Sequence, residues 1–526
     1  MSSKKILNRR QKKKKKKEEK LKRRNLEINN YKKTIIKHTN NIWIPPHNIK
    51  YKNTDTDSWF TIKKYEDKKN NKIDDFKCNI PTNKNKAKKL MPCTKVNFYP
   101  TKMQKIILER WFDAFALMYN ATLKFIKQKF KENKDNNNNA EATEKKSTSV
   151  VKTISKKKIK IVAKKPKKKI NPTNFYNNRK MLKNKRCEIE TNSTITNKKQ
   201  LDVINSELKQ RKNTKKKSKK IKPVRTSINS HTLDYAIKLA CINYKSALTN
   251  YRNGNIKFFR IRYWRKNRGN KILVVEKQFI KKNTIFQKLF GDIDLEYNRE
   301  KYTLKAKSNI TIHYNSKEKK YLLLVPEKCE VKEAVKKNKT IVLDPGIRSY
   351  MTGISKNEVI KIGNEQDKIK EILMRKDRIM ENEKVPYVKK KKIERRLNTR
   401  IKNMVNELHW KTINYLVNNY DNILIGDMSV KSIVSKNEST LARITKRIGY
   451  SLSLYLFKQR LEYKCKLNKK RYSEVNERYT SRMCSVCGWY NEKLGGDKIF
   501  ECKECKRTID RDVNGARGIY LKHLQK

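Results

Sequence analysis

The chain has 526 residues, with 134 Lys and Arg against 51 Asp and Glu and a formal net charge of +83. A compact monomer with that excess repels itself unless a polyanion neutralises it, so nucleic acid is the expected partner, although part of the lysine count reflects the Lys/Asn drift of an AT-rich genome. No apolar run approaches the ~20 residues of a membrane span and the amino terminus lacks a signal-peptide core, which excludes membrane-spanning and secreted classes and makes the chain soluble and intracellular.

In chain order, residues 1–92 are basic, Asn-rich and poorly patterned, and read as a largely disordered extension with islands of order at Trp43-Ile-Pro-Pro and Trp59-Phe60. The run Lys12 to Lys17 fits a nuclear address or a nucleic-acid arm, and both readings stay open. Val96, Phe98 and Tyr99 alternate like a short strand, and Thr101 caps a helix to about Lys129 whose Ile107, Trp111, Phe115, Met118 and Leu123 form a core stripe. Residues 131–225, with Asn136 to Asn139, Lys156 to Lys158 and Lys215 to Lys220, hold too few large apolar residues to offset ordering entropy and read as a disordered basic insertion. A second helix follows from about Ser227 to Asn253. Phe258 to Arg262, Ile272 to Val275, Ile310 to Tyr314 and Tyr321 to Val325 then read as strands of a small antiparallel barrel or sheet carrying Arg260, Arg262, Arg265 and Arg268.

From Lys337 the pattern changes. Thr340 to Leu343 is a buried strand ending in Asp344-Pro345-Gly346, and Tyr350 to Ile354 and Val359 to Ile362 complete a three-stranded meander. A helix from about Tyr387 to Val417, the strand Ile423 to Ile425, a helix over about Thr440 to Tyr463, a strand near Tyr472 to Asn476 and a last helix from Val513 give the element order of an RNase H-like fold. Between the last strand and helix lie Cys484-x-x-Cys487 and Cys502-x-x-Cys505, the spacing of a closed, structural four-thiolate zinc site. The other six cysteines, Cys78, Cys93, Cys187, Cys241, Cys329 and Cys465, are isolated and read as reduced thiols.

In an RNase H-like sheet the first strand is central and the closing helix crosses near the carboxyl ends of its neighbours. Two-metal phosphodiester hydrolysis needs carboxylates at that edge. Asp344 is the natural first ligand, its plain alternative being a turn residue before Pro-Gly. Asp512 is the second, although an aspartate at a helix start is often only a cap and Asp510 is an equal candidate for the work. At the end of the fourth strand the site position is Gly426. Glu477, at the end of the neighbouring fifth strand, is favoured as the third acid over Asp427, which follows the site position by one residue and faces the opposite side.

Together these segments resemble the TnpB and Fanzor families of transposon-encoded RNA-guided nucleases, relatives of type V CRISPR effectors, over about residues 93–130 and 224–526. Leu343-Asp344-Pro-Gly resembles their first RuvC motif, Tyr479-Thr-Ser-x-x-Cys-x-x-Cys-Gly488 their zinc-knuckle entry and Arg511-Asp512-x-Asn-Gly-Ala516 their last motif; Gln104 and Tyr119-Asn120 match the amino-terminal helix. TnpB proteins typically keep a glutamate where this chain has Gly426. Fanzor proteins, of eukaryotes and their large viruses, are similar to this chain in placing it before the Thr-Ser-Cys segment, here Glu477.

The resemblance implies an α/β multidomain protein. It assigns 93–100 and 255–335 to a wedge-like β-barrel, 101–254 to a helical recognition lobe, 336–480 and 507–526 to an RuvC-like nuclease, and 481–506 to a zinc ribbon. It further implies two catalytic Mg²⁺ ions on Asp344, Glu477 and Asp512, a structural Zn²⁺ on Cys484, Cys487, Cys502 and Cys505, a guide RNA from the transposon end, and double-stranded target DNA with a short adjacent motif. The location would then be nuclear or a viral factory. The competing readings are a catalytically inactive RNA- or DNA-binding regulator and a transposase proper.

Overall fold

The computed structural model describes residues 2–46, 49–53, 61–67, 92–150, 171–213 and 226–525, less 266–268, 282, 305–307, 317, 328–338, 364–365, 429, 431–440 and 493. Trp59-Phe60, Cys78, Lys156 to Lys158, Lys215 to Lys220, Arg268, Cys329 and Thr440 therefore lie outside the described residues. Two compact units are formed, one from Lys89–Cys329 and the other from Met1–Lys88 joined to Glu330–Lys526.

The Lys89–Cys329 unit carries an antiparallel sheet in the order Asn270–Val275, Ile310–Asn315, Lys320–Pro326, Cys93–Tyr99, Asp294–Tyr297, Glu300–Lys301. Val96 and Phe98 are buried while Lys95 and Tyr99 face solvent, the period-2 alternation of a half-buried strand. The following helix, Lys102–Val150, opens with a capping box: Thr101 Oγ1 accepts from the Gln104 amide (3.2 Å) and the Gln104 side chain accepts from the Thr101 amide (3.1 Å). Ile107, Trp111, Phe115, Met118 and Leu123 are all buried in one core with Ser230–Arg252, so the aromatic stripe is core.

Two expectations fail in this unit. Within 131–225, Phe175–Met181, Lys183–Asn192 and Lys198–Asn213 are helices that bury Leu182, Ile189, Ile195 and Ile204 in the shared core. A few spaced aliphatic residues suffice when they dock on a core that already exists, which a composition estimate for an isolated segment does not count. Phe258 to Arg262 forms no strand. Its backbone partners are instead helix side chains: Lys127 donates to the Ile261 carbonyl (3.1 Å), and Asn120 both donates to the Trp264 carbonyl (2.9 Å) and accepts from the Trp264 amide (2.8 Å).

In the other unit the elements are α1 (Ser2–His38), β1 (Lys52–Asn53), β2 (Ile62–Glu66), β3 (Thr340–Pro345), β4 (Met351–Ile354), β5 (Glu358–Ile362), α2 (Asp367–Glu381), α3 (Tyr387–Asn419), β6 (Asn422–Gly426), α4 (Arg443–Ser451), α5 (Leu454–Leu467), β7 (Arg471–Val475), β8 (Ile499–Glu501), β9 (Thr508–Asp510) and α6 (Arg511–Leu524). The sheet order is β1-β2-β5-β4-β3-β6-β7. β3, β4 and β5 pair antiparallel, while β6 runs parallel to both β3 and β7, so the carboxyl ends of β3, β6 and β7 share one edge. This is the RNase H-like strand arrangement, widened by two strands. Ile341, Leu343 and Ile425 enter the core under α2 to α5, whereas Val342, Leu424 and Val475 enter the core under α6.

The widening corrects the reading of 1–92 as an extension. β2 adds to β5 in register from Glu66 opposite Glu358 to Ile62 opposite Ile362, and α1 buries Tyr31 and Ile35 in the α6 core beside Ile42 and Trp43. The sequence signal was diluted because these apolar residues are widely spaced among lysines. The helix expected over 440–463 is two helices, since Ser453 between α4 and α5 has φ +49°. α2, which buries Ile369, Ile372 and Leu373, was not anticipated.

Candidate active site

Strand alternation places the first acid. On β3 the side chain of Asp344 points to the same side as Val342, toward α6, and on β6 Gly426 points that way with Leu424. α6 can lie close over this edge because it presents Gly515, where a Cβ would overlap the Asp344 carboxylate.

Glu477 lies two residues beyond β7, and its backbone is fixed on both sides. Its amide donates to Asp427 Oδ1 (3.1 Å), and its carbonyl accepts from Thr480 Oγ1 (2.8 Å) and the Thr480 amide (3.2 Å). The side chain returns over β6 into the space where Gly426 lacks a side chain: a Cβ at 426 would overlap the Glu477 carboxylate and would stand 3.0 Å from Ile519 and 3.3 Å from Pro345. Asp427 thus faces away from Asp344 and pins the Glu477 loop. Glu477 Oε2 is buried without a hydrogen-bond partner.

The ambiguity between Asp510 and Asp512 also resolves. Asp510 caps α6, accepting from the Asp512 (3.0 Å) and Val513 (3.2 Å) amides, and its other oxygen accepts from Lys361 Nζ (2.6 Å). Asp512, in the first turn, is left free of the capping task.

Crowding of like charge is visible in the acidities. Burial, then the charges of Glu477 and Asp512, hold the Asp344 carboxyl well above the usual range, while Arg511 pulls it down. Burial followed by Asp427 pushes Glu477 up to about 7, and burial followed by Asp510 raises Asp512. Asp344 therefore stands between the other two acids.

A cation is what such a cluster lacks. The orphaned Glu477 oxygen, the two glycine cradles and three hard oxygen donors at one sheet edge fit Mg²⁺. Among the described residues only Cys484, Cys487, Cys502 and Cys505 bring their ligand atoms all within 4.8 Å of one another, so the acids are spread more widely than a single-ion cluster of that tightness. A pair of ions sharing a central Asp344 suits that spread.

In the cysteine cluster, Cys484 Sγ lies 3.7 Å from Cys505 Sγ and Cys487 Sγ 3.5 Å from Cys502 Sγ, and none is in a disulfide. Thiolates about 2.3 Å from zinc at tetrahedral corners sit roughly 3.8 Å apart, so the four fit one ion with no open position. Asn514 ties this ribbon to α6, donating to the Met483 carbonyl (2.9 Å) and accepting from the Ser485 amide (2.9 Å).

Residues 455–519, which span Glu477, the four cysteines and Asp512, match the Cas12f1-like TNB domain family, and residues 93–135 match a helix-turn-helix domain family, although here they form one strand and the start of one long helix. A TnpB-like protein of Acanthamoeba polyphaga mimivirus is 30% identical over 513 residues, covering 91% of this chain and 85% of its own length. The chain belongs to the TnpB-like family. A putative transposase of Paramecium bursaria Chlorella virus 1 is 27% identical to this TnpB-like chain over 314 residues, 55% of this chain and 68% of that protein. A cryo-EM structure of a Cas12f1-sgRNA-target DNA complex aligns over 82% of this chain and 98% of its own, at 12% identity and a TM-score of 0.27.

Sequence reasoning missed several neighbours of the acids in this TnpB-like chain. Tyr51, from the supposed extension, is close enough for Asp510 and Asp512 to raise its phenol further after burial has done so. Lys361 pairs with the α6 cap, and Arg348, beyond β3, lowers Asp512 by its charge. None belongs to a motif with a spacing that announces it.

Proposed function

We propose that this TnpB-like protein is a transposon-associated, RNA-guided DNA endonuclease that hydrolyses phosphodiester bonds in an RuvC-like site built from Asp344, Glu477 and Asp512. The observation that carries the reading is the Glu477 carboxylate filling the gap left by Gly426, on the α6 side of the sheet beside Asp344. A chain that had merely lost its third acid would have no reason to hold a buried, unpartnered glutamate oxygen there.

Mg²⁺ bound by these carboxylates would supply an activated water and stabilisation of the leaving 3′ oxygen. The protein's own part is positional. β3 and α6 hold Asp344 and Asp512 on rigid elements, and the Asp427 contact fixes the entry of Glu477. The four cysteines would hold a structural Zn²⁺ that keeps the ribbon, and through Asn514 the start of α6, in place. Guide RNA from the transposon end and target DNA with a short adjacent motif are the proposed partners, the guide reading sequence by base pairing while basic surface binds backbone. The charge of +83 supports a polyanionic partner.

The reading is tested by expressing the protein with its flanking transposon DNA, purifying it in high salt and sequencing retained RNA before assaying Mg²⁺-dependent cleavage of a matching duplex. A discrete RNA with guided cutting is the expected result. Retained RNA without cutting would leave the regulator reading, and absence of any specific RNA would overturn RNA guidance.

A further inference from the structure

We propose that Arg348 and Arg511 form the clamp that receives the scissile phosphate at the acid site, and that backbone carbonyls of the ribbon loop Leu494-Gly495-Gly496-Asp497 occupy this clamp until nucleic acid displaces them. The inference rests on the nuclease reading above and adds the residues that would bind the substrate anion.

The two guanidinium groups come from opposite sides of the acids. Arg348 follows β3 by three residues, in a turn closed by the Gly346 amide donating to the Tyr350 carbonyl (3.2 Å). Arg511 is the first residue of α6, and its own amide is held by the Lys498 carbonyl (2.9 Å). Both roots are thus fixed by backbone. Neither side chain forms an ion pair within 4 Å with Asp344, Asp512 or Glu477 among the described residues, but both are near enough for their charge to hold Asp512 down, and Arg511 acts on Asp344 as well.

Their hydrogen bonds go to one exposed loop. Arg348 Nη2 donates to the Gly496 carbonyl at 2.7 Å, and Arg511 Nη1 donates to the Gly495 carbonyl at 2.7 Å and the Asp497 carbonyl at 3.3 Å. These acceptors are neutral and solvent-exposed, and the loop carrying them contains two consecutive glycines. A phosphate oxygen is a stronger acceptor, since charge-assisted hydrogen bonds are roughly twice as strong as neutral ones, and a guanidinium fork matches phosphate geometry. Exchange of carbonyl for phosphate therefore proceeds downhill when a phosphodiester reaches the acids. A site of three carboxylates also needs fixed positive charge if it is to draw in a polyanion, and these arginines provide it from both flanks.

The alternative is that the arginines only fasten the ribbon, and the variants separate the two. Nucleoprotein prepared from cells carrying the flanking transposon DNA is compared as wild type, Arg348→Ala, Arg511→Ala and a deletion of Gly495 and Gly496. The readouts are single-turnover cleavage of matched duplex at saturating Mg²⁺, target capture, zinc content and melting temperature. The clamp requires each arginine variant to cut about a hundredfold more slowly with zinc, melting temperature and target capture unchanged. It also requires the deletion to cut at least as fast as wild type. Arginine variants that cut normally, or that lose zinc or melt earlier in proportion to lost cutting, would overturn it. So would a deletion as slow as the arginine variants. Failure of the wild type itself to cut would instead count against the nuclease reading, and the clamp would fall with it.

Discussion

Gly426 is the residue on which the site turns. Its missing side chain is space already used by Glu477, so Gly426→Ala is expected to expel the carboxylate and lower guided cleavage by roughly a hundredfold while zinc content and RNA retention stay unchanged; a variant that cuts normally would contradict the placement of Glu477. This relation was only half legible in the sequence. Alternation along β6 showed that 426 faces the site and 427 does not, but the return of Glu477 over β6 depends on the loop beyond β7, which no periodicity describes. His409 shows a second residue-scale consequence. Its Nε2 donates to the Leu452 carbonyl (2.9 Å) and Nδ1 accepts from Arg460 (3.0 Å), so the buried ring is held neutral, with burial first and then Arg460 moving it down to about 4. The unfolded chain, with histidine near 6.5, binds the proton more readily than the folded one. This contribution is fully present above pH 6.5 and is lost as pH falls toward 4, by up to about 3 kcal/mol. Urea unfolding of wild type and His409→Gln at pH 7 and pH 4.5 checks it: the variant should show the shallower loss.

The elements that hold the site are α6, the zinc ribbon and the amino-terminal segment, and Arg517 joins them. This fully buried guanidinium donates to the carbonyls of Thr39 (3.0 Å), Ile42 (3.0 Å), Trp43 (3.1 Å) and Ser485. Arg517→Met would leave those carbonyls buried without a donor, at a cost of about 3 kcal/mol or more, and thermal melting should fall accordingly. Unchanged melting would mean that the segment before Ile42 is dispensable to the unit. The ribbon makes a separate case. Chelation of its metal, or Cys484→Ser, should release zinc and lower the melting temperature, because four buried or half-buried thiols within 4.8 Å of one another have no other common partner. The paired CxxC units made the ribbon legible without a structure. The amino-terminal helix was not, since Tyr31, Ile35, Ile42 and Trp43 are scattered through lysine-rich sequence and only the docked surface of α6 gives them a use.

At the scale of the whole molecule, the strand arrangement around β3 was readable because buried parallel strands are short continuous apolar runs ending in distinctive turns. The additions were less readable: β2 and the helices within 171–213 form by docking on cores made elsewhere in the chain. Charge points to nucleic acid, and the fold supplies an edge where carboxylates from β3, the loop after β7, and α6 converge. The central claim is that these three acids, with the third relocated to Glu477, make one phosphodiesterase site. It is tested most directly by single-turnover cleavage of a guide-matched duplex by wild type and Glu477→Gln nucleoprotein of equal RNA content. The account requires cutting to fall by roughly 10²–10³-fold or more in the variant with target binding intact. Cutting by the variant at the wild-type rate would show that Glu477 is not the third acid.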